Sequence, residues 1–318
     1  MNEPQTLLEA IKYFADPDVC LDFMVKLRWP DGEIDCPNCG RTDVRFIPTR
    51  RIWECKSKHP RRQFSVKVGT IFEDSAIGLD KWLATIWMIA NAKNGVSSYE
   101  VARSIGVTQK TAWFMLHRVR LAMQNGDSFM SGEIEVDETF IGGRARNMHR
   151  SKREAIIQGR GTVGKTVVMG LLDRHGEKDH STVQTQVVPD TRRQTLSPEV
   201  RSHVVPGSTV YTDAHSAYTG LGSDGEYAHE VIDHAEAYVR GKVHTNGIEN
   251  FWSLLKRAIK GTYVNVEPFH LFRYLDEESF RFNTRKVTDG ERFDKATRGI
   301  TGKRLTYNQL TNVATTPA

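Results

Sequence analysis

An α/β domain preceded by a small metal-binding and helical N-terminal part is the fold class that this 318-residue sequence predicts. Three observations lead there. Three cysteines and a histidine fall within residues 36–59 at ligand spacing. Apolar residues recur at helical intervals between 79 and 124. From about Gly132 onward, short β-branched segments separated by turn residues replace that rhythm.

The length suits two or three domains, at roughly 100–200 residues each. A net charge of +5 and a pI near 8.9 permit nucleic-acid binding without requiring it, because distribution matters more than the total. No stretch approaches the ~20 apolar residues that span a bilayer. The N-terminal MNEPQTLLEAIKYF is amphipathic and lacks a signal-peptide layout, so a cytoplasmic protein with no membrane partner is expected. In that compartment the four cysteines, at 20, 36, 39 and 55, point to a metal rather than to disulfides.

Residues 1–30 form an N-terminal helical segment, with Leu7, Leu8, Ile11, Leu21, Met24 and Leu27 in helical rhythm. Cys20 sits in that pattern as a small buried hydrophobe. Residues 31–75 hold the knuckle Cys36-Pro-Asn-Cys39-Gly. Fifteen residues on comes Cys55, and then His59 after three more. Two thiolates two residues apart grip one tetrahedral ion, and the Cys₃His sum is a common structural zinc set. His59 is the weakest of the four, since a second CxxC would put a cysteine at Lys58. The other reading is a reduced thiol pair beside an unrelated histidine.

In residues 76–128, Asp80 opens a helix that buries Trp82, Leu83, Ile86, Trp87 and Ala90, and Asn94-Gly95 ends it. A short helix from about Ser98 to Ile105 follows. Gly106 then turns the chain, Thr108 caps, and a longer helix runs from about Gln109 to Gln124. This is a helix-turn-helix pattern. Thr108, Gln109, Lys110 and Thr111 at the start of its second helix can reach phosphates or base edges. Arg118 and Arg120 are expected to add phosphate contacts. An ordinary trihelical bundle with solvated charges shares the same turn.

The α/β domain is expected over 129–285, with strands at 133–141, 165–173, 181–189, 208–213 and 229–233. A helix fills 190–203, and Asn246 to Phe282 is helical in pattern. Residues 286–318 read as a polar, weakly patterned C-terminal tail. Three acids stand out. Asp137 and Asp213 each follow apolar strand residues (Ile134 and Val136; Val210 and Tyr211), and Glu249 lies on a helix. Any one of them alone reads as a solvated carboxylate. Together they suit divalent cations such as Mg²⁺, which want carboxylates on rigid elements. Lys256 and Lys260 share the helical face of Glu249, in reach of a phosphate. Residues 144–165 carry seven Lys/Arg, among them Arg144, Arg146, Arg150, Lys152 and Arg153, against one acid. That composition suits a nucleic-acid backbone, and equally a solvated loop.

Several of these stretches belong together: LRWPDGEIDCPNCG, RRQFSVKVGTIFEDSAIGLDKW, VDETFIGG, YTDAHSAY, HTNGIENFWSLLKRAIKGTY and HLFRYLDEESFRFNTRK. Across about Leu7 to Leu310 the chain resembles bacterial insertion-sequence transposases of the DDE superfamily with an N-terminal zinc ribbon, the ISXO2-like transposase group. The resemblance implies a ribonuclease-H-like catalytic domain, a structural Zn²⁺ and two Mg²⁺ (or Mn²⁺) per active site. It implies binding to the terminal inverted repeats of an insertion sequence, then strand cleavage and transfer of 3′-OH ends into target DNA. It further implies a homodimer or larger assembly on DNA, associated with the nucleoid when bound.

By that likeness Asp137, Asp213 and Glu249 are the catalytic acids, with seventy-five and thirty-five residues between them, and Lys256 is the basic residue that follows. Some members of the group carry asparagine as the third residue, and Asn246 stands three before Glu249. Asn246 and His244 are therefore kept as neighbours for metal or DNA. Two rival readings stay open: a non-catalytic DNA-binding regulator, and a structure-selective nuclease of the same fold.

Overall fold

Pro17 divides the first helical stretch in two. Helix α1 spans Leu7–Tyr13 and α2 spans Pro17–Arg28; Asp16 caps α2 by accepting from the Asp18 amide. Proline at the first helical position loses no hydrogen bond there. The computed structural model describes residues 3–124, 126, 128–143, 164–176, 180–232 and 244–311. The chain forms two units, Met1–Gln124 with Lys286–Ala318, and Asn125–Arg285.

In the first unit, β1 (Val44–Ile47), β2 (Ile52–Cys55) and β3 (Gln63–Phe64) make a three-stranded antiparallel sheet. Three helices follow: α3 (Leu79–Asn91), α4 (Ser98–Ile105) and α5 (Gln109–Ala122). A capping box between Ser97 and Glu100 starts α4. Gly106 ends it at φ 65°, a left-handed conformation that costs an L side chain roughly 1–2 kcal/mol. Thr108 caps α5 by accepting from the Thr111 amide at 3.2 Å. Gln109 Nε2 donates to Ser98 Oγ at 2.9 Å, and Lys110 Nζ lies 4.7 Å above the Tyr307 ring. These four residues occupy the first turn of α5, with Thr108 and Lys110 exposed.

Arg118 does not stand where the sequence placed it. It shares the buried face of α5 with Met115 and Ala122 and is 5% exposed. Its guanidinium donates to the carbonyls of Ile71 (3.0 Å), Glu73 (2.8 Å) and Leu305 (2.9 Å). It also lies 4.4 Å above the Phe114 ring. Arg120 is buried as well. Helical periodicity decides this, since residues three and seven apart share a face. Arg118→Ala leaves the buried Ile71 carbonyl and the part-buried carbonyls of Glu73 and Leu305 without this donor, at about 1–3 kcal/mol for a group that no water reaches. The expected result is a lower urea midpoint with no change in the salt dependence of DNA binding. A shallower salt slope at unchanged stability would return Arg118 to the phosphate.

Residues 286–311 also depart from the expected tail. Thr288 and Glu291 form a capping box for a helix over Asp289–Arg298. Its Phe293 packs on Phe14, Phe23 and Trp87 with ring centroids 5.7, 5.8 and 5.1 Å apart. Sparse apolar residues hid the helix, because a single buried stripe was enough to dock it.

The second unit is an α/β domain with a mixed sheet flanked by helices. Strands β4 (Glu133–Ile141), β5 (Thr166–Asp173), β6 (Thr182–Val188), β7 (Thr209–Asp213) and β8 (Ala228–Ile232) lie in the order β6-β5-β4-β7-β8. The β4–β5 and β5–β6 pairs are antiparallel; β4–β7 and β7–β8 are parallel. Helix α6 (Arg193–His203) packs Leu196 and Val200 into one face with Ile134, Val136 and Val210. Helices α7 (Asn246–Ala258) and α8 (Leu271–Asn283) cover the other, where Ile248, Phe251, Trp252, Leu255 and Leu275 meet Ile141, Val168 and Val183. Strand alternation therefore sends Glu135, Asp137, Thr139 and Ile141 toward α7, and Ile134, Val136 and Glu138 toward α6. Among the described residues no helix is long and apolar enough to cross a membrane. Arg144, Arg146, Arg150, Lys152 and Arg153 lie outside the described residues.

Candidate active site and metal centre

Asp137 lies in the middle of the central strand, and Asp213 ends the neighbouring parallel strand. The β4–β7 register pairs Glu135 with Tyr211. Two residues beyond that pair on each strand stand Asp137 and Asp213, close enough that the Asp213 charge acts on the Asp137 carboxyl. Glu249 is in the first turn of α7, which lies on this face. Its Oε1 accepts from Thr245 Oγ1 at 3.1 Å. Asn246 is exposed at the first position of the same helix.

Trp252 connects helix and strand. Its Nε1 donates to Asp137 Oδ2 at 2.9 Å. The ring fits because Gly170, the β5 partner of Asp137, has no side chain. A Cβ there would stand 2.6 Å from Trp252 Cη2 and 2.8 Å from Ile248 Cδ1.

The electrostatics are those of carboxylates crowded in a partly dry site. Burial pushes the Asp137 carboxyl up to about 6, and the charges of Asp213 and Glu249 push the same way; hydrogen bonds from the Glu138 amide and Trp252 pull it back. Burial also carries Glu138 up to about 8, with Asp137 and Asp213 adding to it. Lys256 is depressed, first by burial and then by Lys260 and Lys165, while Asp137 opposes them. Asp213, Glu249, Glu138 and Lys256 are thus each coupled to Asp137, and Lys260 and Lys165 to Lys256.

His244 is held through Nδ1, 3.3 Å from Glu135 Oε1 and 3.1 Å from Arg174 Nη2. It stands two residues before the first residue of α7. Lys260 is exposed in the π-turn Ile259–Tyr263 that extends α7.

The metal centre lies in the first unit. One ligand atom from each of Cys36, Cys39, Cys55 and His59 lies within 4.8 Å of all the others. Cys39 Sγ and Cys55 Sγ are 3.7 Å apart, and Cys36 Sγ and His59 Nε2 are 3.5 Å apart. A tetrahedral ion with bonds of about 2.3 Å to sulfur and 2.0–2.1 Å to nitrogen needs edges of about 3.8 and 3.5 Å, so the donor set fits zinc. His59 Nδ1 lies 2.7 Å from the Pro60 carbonyl. Donation there fixes the tautomer that turns Nε2 to the sulfurs. Burial raises the Cys55 thiol, but hydrogen bonds from His59, Ser57 and Cys39 outweigh it and bring it down to about 6.

The sequence profile of the transposase zinc-ribbon domain matches residues 16–57, and that of the ISXO2-like transposase domain matches residues 129–283. A Haemophilus influenzae protein described as an uncharacterized transposase-like protein is 35% identical over 105 residues, 33% of this chain and 84% of that relative. The chain belongs to the ISXO2-like transposase family. An uncharacterized protein in transposable element ISH50 of Halobacterium salinarum is 28% identical, across 78% of this chain and 84% of its own length.

In this ISXO2-like transposase domain, the sequence reading missed Glu138, which accepts a hydrogen bond from Tyr218, five residues after Asp213. It missed Lys165 beside Lys256, and Gly170 beneath Trp252. Only the glycine in an otherwise apolar strand could have flagged the last, as a mark of close approach. Gly170→Ala drives a methyl into the indole, and overpacking of this kind costs about 1–3 kcal/mol. The expected outcome is a lower melting temperature together with loss of the Trp252–Asp137 bond, seen as a shifted indole N–H resonance. An unmoved resonance would remove Gly170 from the site.

Proposed function

We propose that the chain is a DNA transposase that cleaves at the ends of its own insertion sequence and joins the freed 3′-OH ends to target DNA. The observation carrying this reading is the mutual field of Asp137, Asp213, Glu249 and Lys256 inside a domain of the transposase family. The strand order, with Asp137 on the central strand and Asp213 on its parallel neighbour, supports a ribonuclease-H-like catalytic domain. The α4–Gly106–α5 geometry supports a helix-turn-helix.

Asp137, Asp213 and Glu249 would hold two Mg²⁺ or Mn²⁺. Bound there, the ions supply Lewis acidity that activates water or a 3′-OH and steadies the leaving oxygen. Trp252 keeps one oxygen of Asp137 fixed and leaves the other for metal. Lys256, Lys260 and Lys165 give positive potential for the phosphates flanking the scissile bond. In the first unit, Thr108, Gln109, Lys110 and Thr111 present side chains to the end sequence. Arg144, Arg146, Arg150, Lys152 and Arg153 are assigned to the DNA backbone on composition alone. A homodimer or larger assembly is expected on DNA, because two ends must be handled together.

A strand-transfer assay tests this: purified protein, labelled element ends, a supercoiled target, and Mg²⁺ with or without EDTA. Metal-dependent joined product, absent in Asp213→Asn and Glu249→Gln and retained in Asn246→Ala, is the expected result. Cleavage without joining would make the protein a nuclease. Specific end binding without either would make it a regulator.

A further inference from the structure

Glu135 is 1% exposed, two residues before Asp137 on the same face of β4. Its Oε1 takes the Arg174 Nε–H at 2.8 Å and lies 3.3 Å from His244 Nδ1. Its Oε2 accepts the backbone N–H of Ile248 at 2.9 Å. Arg174 also donates to the His244 carbonyl at 2.6 Å and stacks 4.0 Å above the Tyr211 ring on β7. One carboxylate thus joins β4, the end of β5, the stretch entering α7 and, through Arg174, β7.

The helix supplies no cap of its own here, since Thr245 at its N-cap makes no capping hydrogen bond with its side chain. Ile248 carries one of the four amides that a helix N-terminus leaves unsatisfied. A carboxylate near that end is favoured by both the hydrogen bond and the helix dipole. Gly247 permits the approach. A Cβ at that position would stand 2.8 Å from Glu135 Oε2 and 3.1 Å from Leu172 Cδ2.

The spacing of the two ties to β4 matters most. Glu135 holds Ile248, and Asp137 holds Trp252. Two residues along a strand advance about 6.6 Å, and four along a helix advance about 6 Å. The two rungs are therefore in step, and helix and strand are fixed at one height. The Asp137 rung is itself part of the proposed metal site. The Glu135 rung is not, so it sets the position of α7 whether or not metal is present.

We infer that Glu135, with Arg174 and His244, is a positioning group: it caps α7 from the neighbouring strand and so sets where Glu249 meets Asp137 and Asp213. This rests on the transposase reading only for what the site then does, and the cap itself can be tested without DNA. Hydrogen-bonding groups that orient metal ligands commonly change metal affinity about 10–100-fold when removed.

The test uses the full chain and the variants Glu135→Ala, Glu135→Gln and Gly247→Ala. Amide exchange is followed over 246–252, and Mn²⁺ affinity is measured by electron paramagnetic resonance. Glu135→Ala is expected to speed exchange at Ile248 and weaken Mn²⁺ by about 10–100-fold, with DNA-end binding unchanged. Glu135→Gln, which keeps an acceptor, should recover most of the exchange protection. Gly247→Ala should reproduce the Mn²⁺ loss with every charge in place. Glu135 would be reduced to a buried ion partner in either of two cases. In one, folded Glu135→Ala keeps wild-type exchange and Mn²⁺ binding. In the other, it unfolds while Gly247→Ala binds Mn²⁺ like the wild type. If the wild type neither binds Mn²⁺ nor cuts DNA, the transposase reading fails, and exchange at Ile248 still decides the cap.

Discussion

Asp137→Asn abolishes metal-dependent cleavage and, in the metal-free protein, raises the melting temperature. The two effects have one cause. Burial, with Asp213 and Glu249 adding to it, holds the folded Asp137 carboxyl at about 6, whereas an unfolded aspartate titrates near 3.9. The folded state therefore binds the proton more tightly. Stability falls as pH rises from about 4 to about 6 and stays at the lower level above that. A difference of about two pKa units sets an upper bound of about 3 kcal/mol, and about 1–3 kcal/mol is expected for a partly screened group. Asparagine cannot ionise and still accepts from Trp252. Its gain should be present at pH 8 and vanish below about pH 4. Loss of a metal ligand removes several kcal/mol of transition-state stabilisation, a rate loss of about a thousandfold or more. Adding Mn²⁺ should raise the wild-type melting temperature and leave the variant's unmoved. Equal melting temperatures at pH 8 without metal would mean that ionised Asp137 bears no burial cost.

Removing zinc should have the largest effect on the first unit. Free energies of about 10–16 kcal/mol accompany structural zinc binding in small zinc domains, more than a three-stranded sheet of four-, four- and two-residue strands can supply. A strong chelator, or Cys36→Ser, should melt β1–β3 and expose Trp53, which now packs against Trp29 and Phe64. The readouts are a red-shifted tryptophan emission, zinc released in a one-to-one ratio, and loss of DNA-end binding. His59→Cys should retain zinc and His59→Ala should weaken it. Full zinc retention in His59→Ala would remove the histidine from the ligand set.

The strands of the second unit were legible because their alternation and turn residues are local. The sequence placed the first strand at 133–141, and the structure has it at Glu133–Ile141. Asp137 and Asp213 could be singled out because each follows apolar residues on such a strand. Glu135 could not, because two residues from Asp137 it reads as one more acid in a polar motif. Only the approach of Ile248 from more than a hundred residues away turns it into a cap. Arg118 failed for the opposite reason: as a cation in a basic helix it suggests phosphate, and its burial depends on carbonyls at 71, 73 and 305.

By itself the sequence determined the zinc-ligand spacing and the strands of the second unit, and it singled out the three acids. These follow from periodicity, turn chemistry and donor identity within a few residues of one another. Tertiary structure alone decided the strand order, which brings Asp213 into the field of Asp137. It also decided the seat of Trp252 on Gly170 and the docking of Phe293 among Phe14, Phe23 and Trp87. Each of these depends on which distant surface covers a residue, and burial by a distant partner leaves no periodic trace in the chain.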